Sequence, residues 1–307
     1  DLRKLHDLIS QKSDYRIPVI AKIEKPEAVE NIREIIKVTD CIMIARGDMG
    51  VEVGNHLVPG IQKEIIDLCN NEGVPVITAT QMLESMTDAP TPTRAEASDV
   101  ANAIWDGTDA VMLSGESASG QFPVEAVQMM SDIIMEAEKT PKERPLLRNI
   151  DLSSVNSSVM VAASMIAEKI DAKRILAATE GGNSCRKISM FRPNTPVAGV
   201  THDLRTARRI SLFWGDYPYL VEEEVKDTGS YVKYIVEHSK DKMNLFNGDK
   251  IVITLGDGKI FSKGYSNSVK VEIIKGAPHK DEITGEFEDT FEIAEDKKKS
   301  ISLEHNI

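Results

Sequence analysis

The sequence is poor in cysteine, in aromatic side chains and in positive charge, and it has no long apolar run. Its three cysteines, Cys41, Cys69 and Cys185, are too widely spaced for a disulfide framework or a CxxC metal site. They read as small buried apolar residues in a reducing, cytoplasmic compartment. Thirty-seven Lys and Arg against 49 Asp and Glu leave a formal net charge of -12. Binding a phosphate backbone needs clustered cations, so nucleic acid is excluded as a general partner. No apolar stretch reaches bilayer-spanning length, which excludes a transmembrane helix within these residues. What remains is a globular composition, 41% apolar and 28% charged, in a chain of 307 residues. That suits one large domain or two ordinary ones.

Against this background, short apolar runs ending in polar residues recur. Ile42-Met43-Ile44-Ala45 breaks into Arg46-Gly47-Asp48, read as a strand followed by a turn. Val19 to Ile23 ends at Glu24 and carries Lys22. Val74 to Ala79 ends at Thr80-Gln81, and Ala110 to Leu113 ends at Ser114-Gly115-Glu116. The segments between them have helical composition. Four strand–helix repeats with polar residues at one end predict the second half of a TIM (β/α)8 barrel, active-site rim included. Apolar spacing predicts a helix over 1–11, a second beginning at Pro26, a third over 59–70 and a fourth over 95–105. The Thr/Pro-rich loop 87–94 is long and polar, which favours a functional or interface role.

The expected organisation is therefore a half-barrel over 1–140, a linker over 141–151 and a second α/β unit over 152–276. An acidic, peripheral tail follows over 277–307. The second unit alternates helices and strands from residue 157 to 274 and predicts an open sheet with helices on both sides.

The rim residues suggest chemistry. Two carboxylates on adjacent strand ends, Glu24 and Asp48, are a donor set for Mg2+ or Mn2+, with water and phosphate oxygens completing the shell. Singly, each is as well explained by a surface ion pair with Lys25 or Arg46, and Asp48 by helix capping. Lys22 shares a strand face with Glu24. It suits either stabilisation of a phosphoryl group or enolate, or a Schiff base. Thr80 offers a hydroxyl, and the backbone around Gly47 and Asp48 offers N–H groups for a carboxylate. Ser114 and Glu116 read equally as capping or interface residues. In the second unit, Thr179, Gly181, Gly182, Asn183 and Ser184 precede a helix and read either as a phosphate cradle or as a capping turn. The stretch 115–120 has Walker spacing but continues Gln121-Phe122, so it is not a P-loop.

Lys22-Ile23-Glu24, Ala45-Arg46-Gly47-Asp48-Met49-Gly50, Thr78-Ala79-Thr80-Gln81-Met82-Leu83-Glu84, Pro92-Thr93-Arg94-Ala95-Glu96 and Leu113-Ser114-Gly115-Glu116 together resemble the pyruvate kinase family, in order. The resemblance continues through Thr206-Ala207-Arg208 to about Ile274. It implies phosphoryl transfer between phosphoenolpyruvate and ADP, giving pyruvate and ATP, in cytoplasmic glycolysis. By the same resemblance, Glu24 and Asp48 hold Mg2+ or Mn2+, and Lys22 faces the transferring phosphoryl group. Thr80 and the backbone of Ala45, Arg46, Gly47 and Asp48 hold the substrate carboxylate. It also implies K+ in the full-length family protein, a homotetramer and a phosphorylated effector bound in the second unit. Gly181, where a Ser is common, and acidic Glu180 depart from the effector pattern.

The resemblance covers only the family's later half. The four earlier strands, which bring an Arg and the monovalent-cation site, and the lid domain are unmatched. The expectation is a fragment without phosphoryl-transfer activity alone. Two other classes are a metal-dependent lyase of the phosphoenolpyruvate/pyruvate superfamily and a non-catalytic ligand-sensing or assembly partner.

Overall fold

The computed structural model describes residues 1–140, 153–221, 228–256 and 266–276. The first unit is built on four parallel strands in spatial order β1 (Ile20–Ile23), β2 (Cys41–Ala45), β3 (Val76–Ala79) and β4 (Ala110–Met112). Ile23 pairs with Ile44, and Ala45, Ala79 and Met112 form one rung. The carboxyl ends therefore line a single edge, with Glu24 level with Ala45, and Arg46 level with Thr80. This is the half-barrel arrangement that the apolar runs predict, and the sheet does not close. Among the described residues β1 and β4 each have one unpaired side.

Helices cover the outer face. α1 (Leu2–Lys12), α2 (Pro26–Glu30), α3 (Ile32–Ile36), α4 (Arg46–Val53) and α5 (Val58–Glu72) lie along the first half. Ile32, Ile36, Ile65, Ile66 and Cys69 pack there on Ala21, Ile23, Ile42 and Ile44. α6 (Arg94–Asp106), the short α7 (Gly115–Ala118) and α8 (Pro123–Glu138) follow. Val100, Ala103, Ala126 and Met130 enclose Met82, Leu83 and Met86 there. On β1, Ala21 and Ile23 are buried while Ile20 and Lys22 face out, so Lys22 projects from the uncovered, concave face. α6 starts with a capping box, in which Thr93 and Glu96 satisfy each other's backbone N–H groups, and ends at left-handed Gly107.

Three local readings needed correction. The helix beginning at Pro26 breaks into α2 and α3 at Asn31, whose side-chain amide donates to the Glu27 carbonyl at 2.7 Å. The helix predicted over 59–70 runs Val58–Glu72 and stops at Gly73, which takes φ +64°. The Arg46–Asp48 turn is the first turn of α4. The linker 141–151, the tail 277–307 and the loop residues 257–265 lie outside the described residues.

The second unit is a five-stranded sheet ordered β7 (Asp216–Leu220), β6 (Val197–Thr201), β5 (Arg174–Ala178), β8 (Lys250–Leu255) and β9 (Ser268–Ile273). Only β9 runs antiparallel. α9 (Val155–Lys169), α10 (Asn183–Met190) and the end of α11 (Leu204–Ile210) pack on one face. α12 (Thr228–Lys242) packs on the other through Tyr231, Val232 and Ile235. The open sheet with helices on both sides is as expected.

The units meet at a buried ion pair. Arg192 donates to both carboxylate oxygens of Asp109, at 2.8 and 3.0 Å, with side-chain exposures of 6% and 4%. Its guanidinium also reaches Asn70, the Gly107 carbonyl at 2.9 Å and the Ser189 carbonyl at 2.9 Å. Trp214 donates its backbone N–H to Asp109 at 3.1 Å. Arg186 donates to the Gly73 carbonyl at 2.9 Å. A Cβ on Gly73 would stand 2.3 Å from Met190 Sδ, so this glycine permits α10 to dock against the end of α5.

Candidate functional site

At the carboxyl edge of the first sheet, Lys22, Glu24 and Asp48 converge. Lys22 Nζ lies 2.5 Å from Glu24 Oε2 and 2.8 Å from Asp48 Oδ2. The Asp48 contact is a hydrogen bond. The Glu24 contact is an ion pair through its buried Oε2. The hydrogen bond that Lys22 donates to Asp48, followed by its pairing with Glu24, raises the Lys22 pKa above its ordinary value. The same bond lowers the Asp48 carboxyl below the usual carboxylate range. Lys22 therefore stays cationic and Asp48 anionic across neutral pH. Asp48 remains 61% exposed, so the cluster is open to a ligand.

Two of these residues, Glu24 and Asp48, are carboxylates, the donor type that hard cations take. Among the described residues no group of three or more His, Cys, Asp or Glu is close enough to hold a metal. Glu24 and Asp48 supply two carboxylates, both paired with Lys22. Two carboxylates, with water and substrate oxygens completing the shell, are how Mg2+ is commonly held.

Beside this cluster, the α4 N-terminus faces the end of β3. No side-chain bond caps α4 from Ala45, which stands at its N-cap. Instead Thr80 Oγ1 accepts the Gly47 N–H at 2.8 Å and donates to the Ala79 carbonyl at 2.6 Å. Thr80 and Gln81 hold φ of +66° and +54°. For a β-branched threonine this is an unfavourable conformation, costing on the order of 1–3 kcal/mol. Arg46, 7% exposed, braces the turn and does not line the rim. Its Nε and Nη2 donate to the Thr80 carbonyl at 3.3 and 2.9 Å, and Nη2 also to the Gln81 carbonyl at 3.0 Å. Nη1 donates to Asp99 at 2.6 Å and to Gln62 at 3.4 Å. On the fourth strand end, buried Glu116 accepts backbone N–H groups from Leu83 and Ser114, so its carboxylate tethers this loop.

The structure thus brings Lys22, Glu24, Asp48, Gly47 and Thr80 together and turns the Arg46 side chain inward. Sequence reading missed Gln62 and Asp99 as partners of Arg46, and no local pattern points to them. The three cysteines are buried free thiols, and burial pushes Cys41 up to about 12.

The 179–184 loop is largely engaged with its own fold. Thr179 Oγ1 accepts the Gly182 N–H at 2.9 Å, and Gly182 takes φ +82°. Buried Ser184 bonds Ser266 at 2.8 Å, and Asn183 accepts from Arg186 at 3.1 Å. Gly181 is exposed, with open space where a side chain would stand.

A barrel-type parallel sheet with an acid–lysine cluster on its carboxyl edge, joined to an open α/β sheet, defines a two-unit α/β protein of the barrel-rim class. Its residues 1–127 match the model of the pyruvate kinase barrel domain, and residues 157–272 that of the pyruvate kinase alpha/beta domain. The pyruvate kinase of Staphylococcus saprophyticus is 44% identical over 278 residues, covering 89% of this chain and 47% of the relative. Those of Staphylococcus haemolyticus and Sporosarcina psychrophila are 42% and 41% identical, with the same coverage of both chains. The chain belongs to the pyruvate kinase family. It spans about half the length of the curated relatives it matches.

Proposed function

We propose that the chain contributes to phosphoryl transfer between phosphoenolpyruvate and ADP, giving pyruvate and ATP. The observation that carries this reading is the convergence of Lys22, Glu24 and Asp48 beside the α4 N-terminus. Glu24 and Asp48 would hold Mg2+ or Mn2+, which supplies Lewis acidity toward phosphoryl and enolate oxygens. Lys22, kept cationic by its two carboxylates, would balance charge on the phosphoryl group in flight. Thr80 Oγ1, held in place by the Gly47 N–H, and the Asp48 N–H would hold the substrate carboxylate, and the Thr80 hydroxyl would lie on the route by which the enolate is protonated.

A parallel sheet of the barrel type is normally paired along its edges by closure into a barrel, and this one has two unpaired edges among the described residues, with Ile20 and Lys22 of β1 exposed beside one of them. Turnover therefore belongs to a completed barrel, and the chain alone is expected to bind without turning over. Mn2+ titration followed by electron paramagnetic resonance tests the site. The expected result is binding that tightens with phosphoenolpyruvate and is lost in Glu24→Gln. Indifference to Glu24→Gln would remove the proposal. Pyruvate formation with and without ADP separates this activity from a lyase, whose products appear without ADP, and from a purely ligand-sensing or assembly role.

The same proposal includes K+ dependence of the completed barrel, tested by exchanging K+ for Na+ in turnover by a full-length protein that contains these residues. It also includes a cytoplasmic homotetramer, tested by light scattering. A phosphorylated effector at Thr179–Ser184 is the remaining part, with exposed Gly181 and the start of α10 as its support. Calorimetry with sugar phosphates and AMP that shows no heat would discard it.

A further inference from the structure

The strained turn at Thr80 needs something to hold it, and one side chain does so. Nothing about Thr80 or Gln81 favours the left-handed region: neither is Gly, Asn or Asp, and Thr is β-branched. Yet this conformation carries Thr80 Oγ1 across from β3 to accept the Gly47 N–H in the first turn of α4. Arg46 holds the two carbonyls of the turn through Nε and Nη2, while Nη1 is anchored by Asp99 and Gln62. The guanidinium is planar, so these donors are fixed relative to one another. The Asp99 carboxylate stands on α6 and Gln62 on α5, so the brace is tied to two helices outside the rim.

We propose that Arg46 is a positioning residue for the substrate site. Its guanidinium locks the Thr80–Gln81 turn, and so holds Thr80 Oγ1 on the Gly47 N–H, with the hydroxyl placed for the substrate carboxylate of the site reading above. This rests on the site reading above. It departs from a role for the Arg46 side chain as a ligand of substrate, because that side chain faces the protein interior. Arg46→Lys keeps the charge but has a single nitrogen, which cannot hold Thr80, Gln81 and Asp99 together. Asp99→Asn keeps all the donors but removes the charged anchor.

Two readouts on the full chain test this. The first is amide exchange at Gly47, with the Ile42 N–H, bonded to the Pro75 carbonyl, as internal reference. Arg46→Lys is expected to speed Gly47 exchange at least about tenfold and leave Ile42 unchanged, with Asp99→Asn in between. The second is phosphoenolpyruvate affinity in the presence of Mn2+. It is expected to fall between about 10- and 100-fold in Arg46→Lys, the scale of lost charge-assisted hydrogen bonds, while affinity for Mn2+ alone is unchanged. Unchanged Gly47 exchange overturns the proposal, as does faster exchange with full phosphoenolpyruvate affinity. If exchange responds but the parent chain binds no phosphoenolpyruvate, the substrate reading falls and the bracing of Thr80 stands. Should Arg46→Lys unfold, shown by a faster Ile42 amide, Asp99→Asn carries both readouts with the same signs.

Discussion

Two charge clusters in this chain use the same chemistry to opposite ends. At the rim, Lys22 sits between Glu24 and Asp48 in water, its side chain 49% exposed. Between the units, Arg192 grips Asp109 with both partners almost wholly buried. Exposed pairs contribute little stability, with a median of about 0–1 kcal/mol, because water screens them. A buried pair is costly to break because the survivor is left charged and dry. The rim cluster is thus open to solvent, and the proposed site would exchange Lys22 for a ligand there, whereas the interface cluster is committed to structure. Proximity of opposite charges does not by itself mark a functional site. Exposure separates the two.

The contrast can be broken most sharply at the interface. Arg192→Ala strands Asp109, and urea denaturation should show a loss of about 3–5 kcal/mol. The corresponding rim change, Glu24→Gln, should shift stability by no more than about 0.5 kcal/mol in the same assay. That same change should weaken Mn2+ binding at least about tenfold, while Arg192→Ala, where still folded, leaves it intact. A gentler probe uses Asp216, buried close to the interface pair with neither carboxylate oxygen hydrogen-bonded. Burial, then the nearby Asp109 charge, pushes its carboxyl well above the usual range, against the pull of Arg192. The folded state keeps the proton while the unfolded chain loses it, so this group costs stability as pH rises above the unfolded value. Asp216→Asn should therefore stabilise the protein at pH 7 and change little at pH 3, read from urea midpoints at each pH.

The smallest expected effect concerns salt and acid at the rim. Raising ionic strength from 0.1 to 1 M shortens the screening length from about 10 to 3 Å. The ammonium–carboxylate contacts of Lys22 should loosen while Arg192 and Asp109 stay paired, as followed by side-chain NMR. Asp48 has a lowered pKa, so its contribution is present above the ordinary carboxylate range and lost only as pH falls below it. Lys22 has a raised pKa, so its contribution persists through neutrality and fades at strongly alkaline pH. Protonation of Asp48 should accordingly weaken Mn2+ binding only at a pH below the ordinary carboxylate range.

The rim was legible because periodicity and strand ends are local properties. Apolar runs ending in Glu24, Arg46 and Thr80 announce parallel strands whose polar ends must share an edge once the register is fixed. Asp48 was harder, since Arg46-Gly47-Asp48 serves a turn or a helix start equally well, and only packing of Met49 into the core selects the helix. The left-handed Thr80 left no trace, because threonine is not a residue that advertises that conformation. Nor did Arg192 and Asp109, 83 residues apart, carry any short-range pattern that would pair them.

The close approach of Gly73 to Met190 has a consequence for how the protein comes apart. The residue that ends α5 is also the surface on which α10 docks, and its carbonyl accepts from Arg186. Fraying of that helix end therefore costs contacts in both units at once, and undocking the second unit exposes the cap. The two sheets are expected to lose their structure in one cooperative transition, so that protection against amide exchange at the end of α5 and along α10 rises and falls together.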